Sequence, residues 1–499
     1  MMFSYRLAAV SLLAVALAAT PALSARHKKV RPATGPVVAQ AAISPLPPPV
    51  AAKPDMTLSD ALAIAYETNP QLAAQQAGLR ATDENVAIAN GGWRPTISAG
   101  GTYAFQQYWF NAITPNPFTG TGSLSTLSDH PVQASITVTQ PILRGGRTVA
   151  QIGRAKAQVR AARAQLLAAE QTVLLSAATA YMDVVRDAAI LRLRQHNVEV
   201  LQKQADATQA QFNAGSLTRT DVAQAQARLA GAQSDLTAAQ SQLAISNANF
   251  MQAIGRVPET LETEPALPPA LPTNVDDSIT LALQQNPAMV QARENEIAAD
   301  YSVDDAIGAM LPTLSVQGQY GLSEGSLVSP FGTTNIGGST SHALTVTGQL
   351  NVPIYQAGVE EATLRQVKEL HAQAQLNVAV SDRQVRDAVA TAWAQFEAAE
   401  ASIASNEAAE RANEIAFEGV SKEQQVGGRT VLDVLNAEQE LLNAGVLLVS
   451  AKRNAVVAAF QVLAASGVLT AKTLGLKVKL YDPLEHYDND AGAFVGFGN

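Results

Sequence analysis

The sequence LSDALAIAYETNP at residues 58–70 is matched by VDDSITLALQQNP at residues 275–287. Both stretches place apolar residues three and four positions apart, which is typical of an amphipathic helix, and both end in Asn-Pro. The separation between the two stretches also relates Pro95-Thr96 to Pro312-Thr313. A separation that stays constant along the chain indicates an internal duplication.

The duplication continues in the later part of each copy, where the separation is slightly shorter and again constant. Four pairs share it: Gly215 with Gly427, Asp221 with Asp433, Leu229 with Leu441, and Gly255 with Gly467. A surface loop can absorb the small difference between the two separations. We therefore predict two copies of one unit at residues 55–257 and 275–469, joined by a Pro-rich linker at residues 258–274.

The segment at residues 1–54 differs in composition from the rest of the chain. Residues 1–25 combine Arg6, an apolar run over residues 7–19 and small residues beyond it. A membrane-spanning helix needs about 20 apolar residues, so this run predicts a cleaved secretory signal and not an anchor. Residues 26–54 are basic and rich in Pro and Ala, which predicts an extended linker.

Composition excludes several classes of function. The absence of cysteine removes disulfides, thiolate metal sites and a lipid-modified N-terminal cysteine. The formal net charge is −9, and residues 1–54 carry six basic and no acidic residues, so the remainder carries −15. This acidic balance argues against nucleic acid as a partner. A mean hydropathy of +0.04 is too polar for a membrane bundle of helices, and we predict no spanning helix after the signal.

Motifs of common enzymes do not support a catalytic function. The six histidines are scattered and form no HExxH or paired metal spacing. No P-loop is present, and the glycine pairs at residues 145–146 and 427–428 are interpreted as helix-boundary and turn residues. We therefore predict that the protein is not an enzyme and has no catalytic, cofactor or metal site.

Each copy also contains alternating apolar and polar residues, at 132–138 and 344–350, which predicts half-buried strands. The predicted hairpin partners are residues 97–109 and 314–322, with loops at residues 111–131 and 323–342. Strands of about ten residues can cross a bilayer, although the same alternation marks a soluble sandwich. Open edges cannot lie in lipid and small membrane barrels have about eight strands. Four membrane strands would therefore require several chains to share one barrel.

Helical patterns dominate the remaining sequence. Residues 145–213 contain nothing that breaks a helix, which corresponds to roughly 100 Å. Apolar residues then recur every seven positions in each copy: Val222, Leu229, Leu236, Leu243 and Phe250, and later Val434, Leu441, Leu448, Ala455 and Val462. Such repeats predict a left-handed coiled coil. A purely structural helical hairpin would explain them, but it would leave the membrane-type strands unexplained.

These segments resemble the TolC family of outer-membrane channel proteins over residues 55–467. The resemblance rests on the Asn-Pro helix ends and on four motifs: QPILRGGR at 140–147, VPIYQAG at 352–358, AGSLTRTDV at 214–222 and VGGRTVLDVL at 426–435. It implies a mainly α fold with a membrane β-barrel part, in which each of two repeats combines long coiled-coil helices with a two-stranded β-hairpin. It further implies a homotrimer whose twelve strands form one barrel, continued by a helical tunnel.

The implied function is that of the outer-membrane channel of a tripartite efflux pump or a type I secretion system in a Gram-negative bacterium. The channel conducts passively, because the energy comes from an inner-membrane transporter of the RND or ABC type. A periplasmic adaptor, also called a membrane fusion protein, is the other implied partner. The tail at residues 470–499 is interpreted as a packed equatorial segment.

The resemblance also assigns roles at the helical tips. Asp433 and Asn436 correspond to the pore constriction, where carboxylate rings select cations, although Asp221 and Asp433 could instead complement helix dipoles for about 0.3–1 kcal/mol each. Asn436 replaces a second acidic residue of close relatives, and Gln424 replaces a gating Tyr. Both differences weaken the expected acidic ring and lock.

A latch between neighbouring hairpins is implied by the same positions. Arg429 would pair with Asp221 and Thr220 and hold the tips closed. The residues expected to dock the adaptor are those of the two turns: Gly215, Leu217, Thr218, Gly427, Gly428 and Thr430.

A periplasmic coiled-coil scaffold without a pore is the alternative from a different functional class. In that case the strands would form a soluble hairpin domain. The sequence leaves open which pump and adaptor the channel serves, whether it exports drugs or proteins, and whether the tips are closed at rest.

Overall fold

The computed structural model describes residues 56–112, 123–129, 131–268, 271–327 and 336–490. The signal and the linker predicted for residues 1–54 lie outside these ranges, as does the end of the predicted tail. Within them, both halves of the chain run through two helices, strands, a very long helix and a shorter returning helix.

The helices and strands of the first half are α1 Leu58–Thr68, α2 Pro70–Asn90, β1 Thr96–Tyr103, β2 Gln106–Ala112, β3 Ser123–Asp129, β4 Val132–Arg144, α3 Arg147–Asn213 and α4 Arg219–Ile254. Those of the second half are α5 Val275–Gln285, α6 Pro287–Ala309, β5 Thr313–Leu327, β6 Ile336–Asn351, α7 Val359–Gln425 and α8 Val431–Ala465. A short helix, α9 Glu485–Asp490, follows.

The two Asn-Pro sequences form the same junction in both halves. Asn69 and Asn286 each cap the next helix by accepting a hydrogen bond from the backbone N–H two residues on, at 2.8 and 2.9 Å. Proline follows at the first helical position, where its missing N–H is not needed. The Asn69 amide also donates to the carbonyl of Ala253 at 3.4 Å, and that of Asn286 to Ala465 at 2.8 Å. Each junction is thus bonded to the end of its own returning helix.

The long helices α3 and α7 have 67 residues each, or roughly 100 Å, as the unbroken pattern predicted. They start after Gly146 and Gly358, whose φ angles of 81° and 76° favour glycine. Helix α8 passes the length and composition test for a membrane span. However, 56% of its apolar window is buried within the protein, which is typical of a core helix.

Four strands form one antiparallel sheet in the order β1-β4-β5-β6. The register places Ile136 beside Tyr320 and Tyr320 beside Leu344, so these apolar side chains share one face. Threonine, serine and glutamine alternate with them on the other face. Leu344 is 75% exposed in the single chain, so the apolar face lacks a protein partner within the described residues.

The predicted strand limits were wrong at the outer end of the sheet. The expected strand 97–109 is interrupted after Tyr103. Its outer part belongs to β2, which pairs with β3 from the expected loop 111–131 in a second, two-stranded sheet. Near the interruption Ala104 N–H donates to the carbonyl of Pro131 at 3.1 Å, while Pro131 has no N–H to return. The expected loop 323–342 is also too long, because β5 extends to Leu327 and β6 begins at Ile336.

The main apolar core lies where α1, α3, α4 and α8 meet. Tyr181 and Phe250 are completely buried there, and the Tyr181 hydroxyl donates to the carbonyls of Met56 and Glu262 at 2.7 and 3.2 Å. Residues 469–481 contribute several apolar side chains to this core. The start of α1, the ends of α4 and α8 and residues 469–481 therefore all pack against the middle part of α3.

Candidate functional site

The same turn geometry forms both helical tips. Gly215 follows α3 with φ of 81°, and Gly427 follows α7 with φ of 83°. Their N–H groups donate to the carbonyls of Phe212 and Gln424 at 2.9 and 3.0 Å. This left-handed conformation is costly for residues with a side chain. The turns therefore require glycine at both positions.

The returning helices begin with matching capping boxes. The Thr218 hydroxyl donates to Asp221 Oδ2 at 2.7 Å, and that of Thr430 to Asp433 Oδ2 at 2.8 Å. The aspartate N–H groups in turn donate to the threonine hydroxyls at 3.4 and 3.2 Å. Hydrogen bonds from the hydroxyl and the N–H of Thr218 lower the pKa of Asp221, and those from the N–H and the hydroxyl of Thr430 lower the pKa of Asp433. Both carboxylates thus take part in the caps of the returning helices, and a pore role for Asp433 remains a prediction.

Arg429 has a partner that the sequence did not reveal. Its Nε donates to Glu423 Oε2 at 2.8 Å across the turn of its own hairpin. Both side chains are more than half exposed, so the pair is accessible to competing partners. Pairing of Arg429 with Asp221 and Thr220 remains a prediction.

The two hairpins of one chain also contact each other near the tips. Arg228 of α4 donates through Nη2 to Asn436 Oδ1 of α8 at 3.2 Å. Beneath this bond lies an apolar cluster of Leu201, Ala232, Val431 and Leu435, with Val198, Leu217 and Leu229 beside it. Arg228 follows Asp221 by seven residues and so occupies the same face of α4. The seven-residue spacing from Asp221 is the sequence signal that could have identified Arg228 as a tip residue.

The remaining predicted tip residues lie at the surface. Gly215, Thr218, Gly427, Gly428 and Thr430 are exposed, while Leu217 and Gln424 are half-buried. Thr220 is exposed too. These positions are accessible in the single chain, and their docking and gating roles remain predictions.

One enzyme-like spacing is explained by its place in the sheet. Gly321-Leu-Ser-Glu-Gly325 has the spacing of a hydrolase nucleophile elbow. It lies inside strand β5, where Ser323 Oγ is 2.7 Å from Ser341 Oγ on β6. The sharp strand-to-helix turn that exposes a nucleophilic serine does not occur at this point.

A family profile described as "outer membrane efflux protein" matches residues 61–256 and 278–468. The chain belongs to this outer membrane efflux protein family. The family consists of outer-membrane channel proteins and not of enzymes. The expected TolC resemblance, outer-membrane location and channel class are thereby confirmed.

Relatives of this efflux protein agree with the assignment. It is 36% identical over 432 residues to outer membrane efflux protein BepC of Brucella suis, covering 86% of this chain and 90% of that protein. It is 26% identical over 307 residues to outer membrane protein TolC of Escherichia coli, covering 60% and 62% of the two chains.

A solved structure gives the same result for the fold. The Campylobacter jejuni CmeC outer membrane channel superimposes on the efflux protein with a TM-score of 0.72 at 17% identity. The match covers 87% of this chain and 89% of that one. The mainly helical, TolC-like fold predicted from the sequence is therefore confirmed.

Proposed function

We propose that this efflux protein is a homotrimeric channel that passively passes substrates from an inner-membrane pump across the periplasm and the outer membrane. A periplasmic adaptor would dock at the helical tips and connect the channel to an RND or ABC transporter. Efflux pumps and type I secretion systems both use such a channel, and the tips contain nothing that chooses between them.

The observation that supports the trimer best is the four-stranded sheet. Within the described residues, β1 and β6 are its two edges, and one face carries exposed apolar side chains such as Leu344 and Val346. Because a sheet edge in lipid leaves backbone groups unsatisfied, β1 of one chain must pair with β6 of the next. Three chains then give a twelve-stranded barrel, which lies within the range of natural membrane barrels.

The long helices support the rest of the proposal. Each barrel hairpin leads directly into α3 or α7 through Gly146 or Gly358, so the barrel wall continues as a helical wall. Helices of roughly 100 Å would place the tips far from the membrane. The constriction assigned to Asp433 and Asn436 would then lie at the end that faces the pump.

The test of the channel is extraction followed by bilayer recording. We expect the protein to require detergent, to run as a heat-modifiable trimer and to form ion-conducting pores in planar bilayers. A pore-free scaffold would instead be released in the osmotic-shock fraction. A dimer or tetramer by mass measurement would overturn the twelve-stranded barrel.

The latch is tested separately in the same recordings. Replacing Arg429 and Thr220 by alanine should raise the single-channel conductance of the purified trimer, because the pairing with Asp221 would be lost. If the closed conductance were unchanged, Arg429 would have no role as a latch.

A further inference from the structure

A cavity of about 230 Å³ lies between α3, α4 and α8, just inside the tips. The residues that line it and matter here are Asn197, Leu201, Arg228, Gly231, Asp235 and Glu438. Both hairpins of the chain therefore contribute to its walls. Drug-sized ligands occupy pockets of about 300–1,000 Å³, so this cavity suits a smaller molecule.

Glu438 places a carboxyl group in the wall of this cavity. The residue is only 6% exposed, and neighbouring Asn197 is 4% exposed. Burial raises the pKa of Glu438, and the charge of His196 is the opposing influence, with no hydrogen bond contributing. The side chain is largely buried, but its carboxyl oxygens are not sealed off without a partner, so they are open to the cavity that Glu438 lines. The cavity thus presents an acceptor that a ligand could satisfy.

The other charged groups of the wall already have partners. Asp235 accepts a hydrogen bond from Arg194 Nη1 at 2.9 Å, and Arg228 donates to Asn436 at 3.2 Å. Among the described lining residues, Glu438 is therefore the charged group without a hydrogen bond, whereas Arg228 keeps its positive charge beside the neutral amide of Asn436. Within the described residues, no group of three or more His, Asp or Glu side chains could hold a metal ion, so a metal is not the expected occupant.

We infer that this cavity binds a small organic cation with a primary ammonium group. The ammonium would donate hydrogen bonds to the Glu438 carboxylate and to the Asn197 amide oxygen. Its short carbon chain would lie against Leu201, Ala232 and Leu435, which form the apolar part of the wall. A charge-assisted hydrogen bond between an ammonium group and a carboxylate is stronger than one between neutral groups.

The position of the cavity gives the ligand a defined effect on the channel. A bound cation contacts α3 and α4 of one hairpin and α8 of the other. It therefore stabilises the arrangement in which the hairpins are packed together. This effect rests on the proposed function: where opening of the tips separates the two hairpins, the bound cation reduces the frequency of opening.

Calorimetry on the detergent-solubilised protein tests the site, with butylammonium chloride as the probe and butan-1-ol as an uncharged analogue of the same shape. We expect butylammonium to bind at least about tenfold more tightly, because both probes can donate a hydrogen bond to the carboxylate but only the ammonium donor is itself charged. Glu438→Gln should remove this preference. Glu440→Gln, on the exposed side of the same helix, is the matched control and should bind like the wild type.

A second variant fills the cavity without changing its charge. A Cβ placed on Gly231 meets no atom within 4 Å, so Gly231→Leu should fold and should weaken the binding of both probes. Equal affinity for butylammonium and butan-1-ol, or wild-type binding by both Glu438→Gln and Gly231→Leu, would overturn the inference. The binding measurement needs no channel activity. If butylammonium did not bind, the proposed channel function would still stand, and if the protein formed no channel, the binding site could still be present.

Discussion

At the scale of single residues, the best satisfied buried charge is Asp187 of α3. Its side chain is 3% exposed and accepts hydrogen bonds from Arg186 Nε at 2.7 Å, Ser246 Oγ at 2.5 Å and Gln242 Nε2 at 3.4 Å. Burial raises the pKa of Asp187, but hydrogen bonds from Arg186, Ser246 and Gln242 and the charge of Arg186 outweigh it, so that the pKa lies below its ordinary value. The hydrogen bonds from Ser246 and Gln242 also fix α4 against α3.

This lowered pKa predicts a pH-dependent contribution to stability. A carboxyl with a lower pKa in the folded state stabilises the fold above its unfolded pKa of about 3.9 and loses this effect as the pH falls through the folded value. Asp187→Asn should therefore lower the unfolding temperature at pH 7, and the difference from wild type should shrink below about pH 4. Asp206→Asn, at an exposed position of α3, is the control. A difference that did not change with pH would contradict this linkage.

The exposed pair of Arg429 and Glu423 makes a second residue-scale prediction. In one chain Glu423 holds the guanidinium that the proposed latch needs. Glu423→Gln should release Arg429 for Asp221 and so lower the frequency of channel opening, whereas Arg429→Ala should raise it. Single-channel recordings of both variants provide the measurement. If both variants changed the opening frequency in the same direction, Glu423 and Asp221 would not compete for Arg429.

At the scale of elements, the capping boxes decide how firmly the tips are held. Thr430→Ala removes the side-chain cap of α8 and should cost about 1 kcal/mol of local stability. Hydrogen exchange should be faster over the first turn of α8 and unchanged at the main core. Thr237→Ala is the control, because Thr237 only bonds back to Gln233 O within α4 at 3.0 Å. Equal effects of the two substitutions would argue against the cap.

The sequence predicted the helices better than the strands for a physical reason. An unbroken helical pattern determines a helix from local residues alone, so α3 was expected over nearly its full length and a matching helix was expected in the second copy. The interruption after Tyr103 depends on Pro131, which lies beyond the β2–β3 hairpin and opposes Ala104 only after that hairpin forms. Local alternation does not contain that information.

The tip site was predictable to a similar degree. The turn glycines are local signals, and the structure contains them at the predicted positions. The Thr-x-x-Asp capping boxes are equally local signals but were not predicted. The pairing of Arg429 with Glu423 depends on how the turn between α7 and α8 folds. The pairing of Asn436 with Arg228 depends on how the two hairpins pack together. Side-chain pairing of this kind follows from tertiary packing, which sequence periodicity does not specify.

At the scale of the whole molecule, the helical hairpins of the two halves must have the same length if their tips are to lie at the same distance from the barrel. Helices α3 and α7 both have 67 residues, and α4 and α8 have 36 and 35. Seven residues inserted into all four helices preserve the heptad register, so the trimer should form and lengthen by roughly 10 Å. The same insertion in α3 and α4 alone should leave the tips at different levels and raise the conductance. Electron microscopy and bilayer recording provide the measurements, and unchanged conductance in the second variant would contradict the prediction.

The Asn-Pro junctions have a consequence for the order of folding. The bond from Asn69 to Ala253 spans 184 residues and that from Asn286 to Ala465 spans 179. Neither bond crosses from one half to the other, so each half can complete its own loop as soon as its returning helix has been secreted. Such long-range contacts are slow to form. In the periplasm each half should therefore close its own loop independently of the other. The main core needs α8 beside α1, α3 and α4, so it should be completed only after the second half has emerged, and the strands of neighbouring chains should pair last.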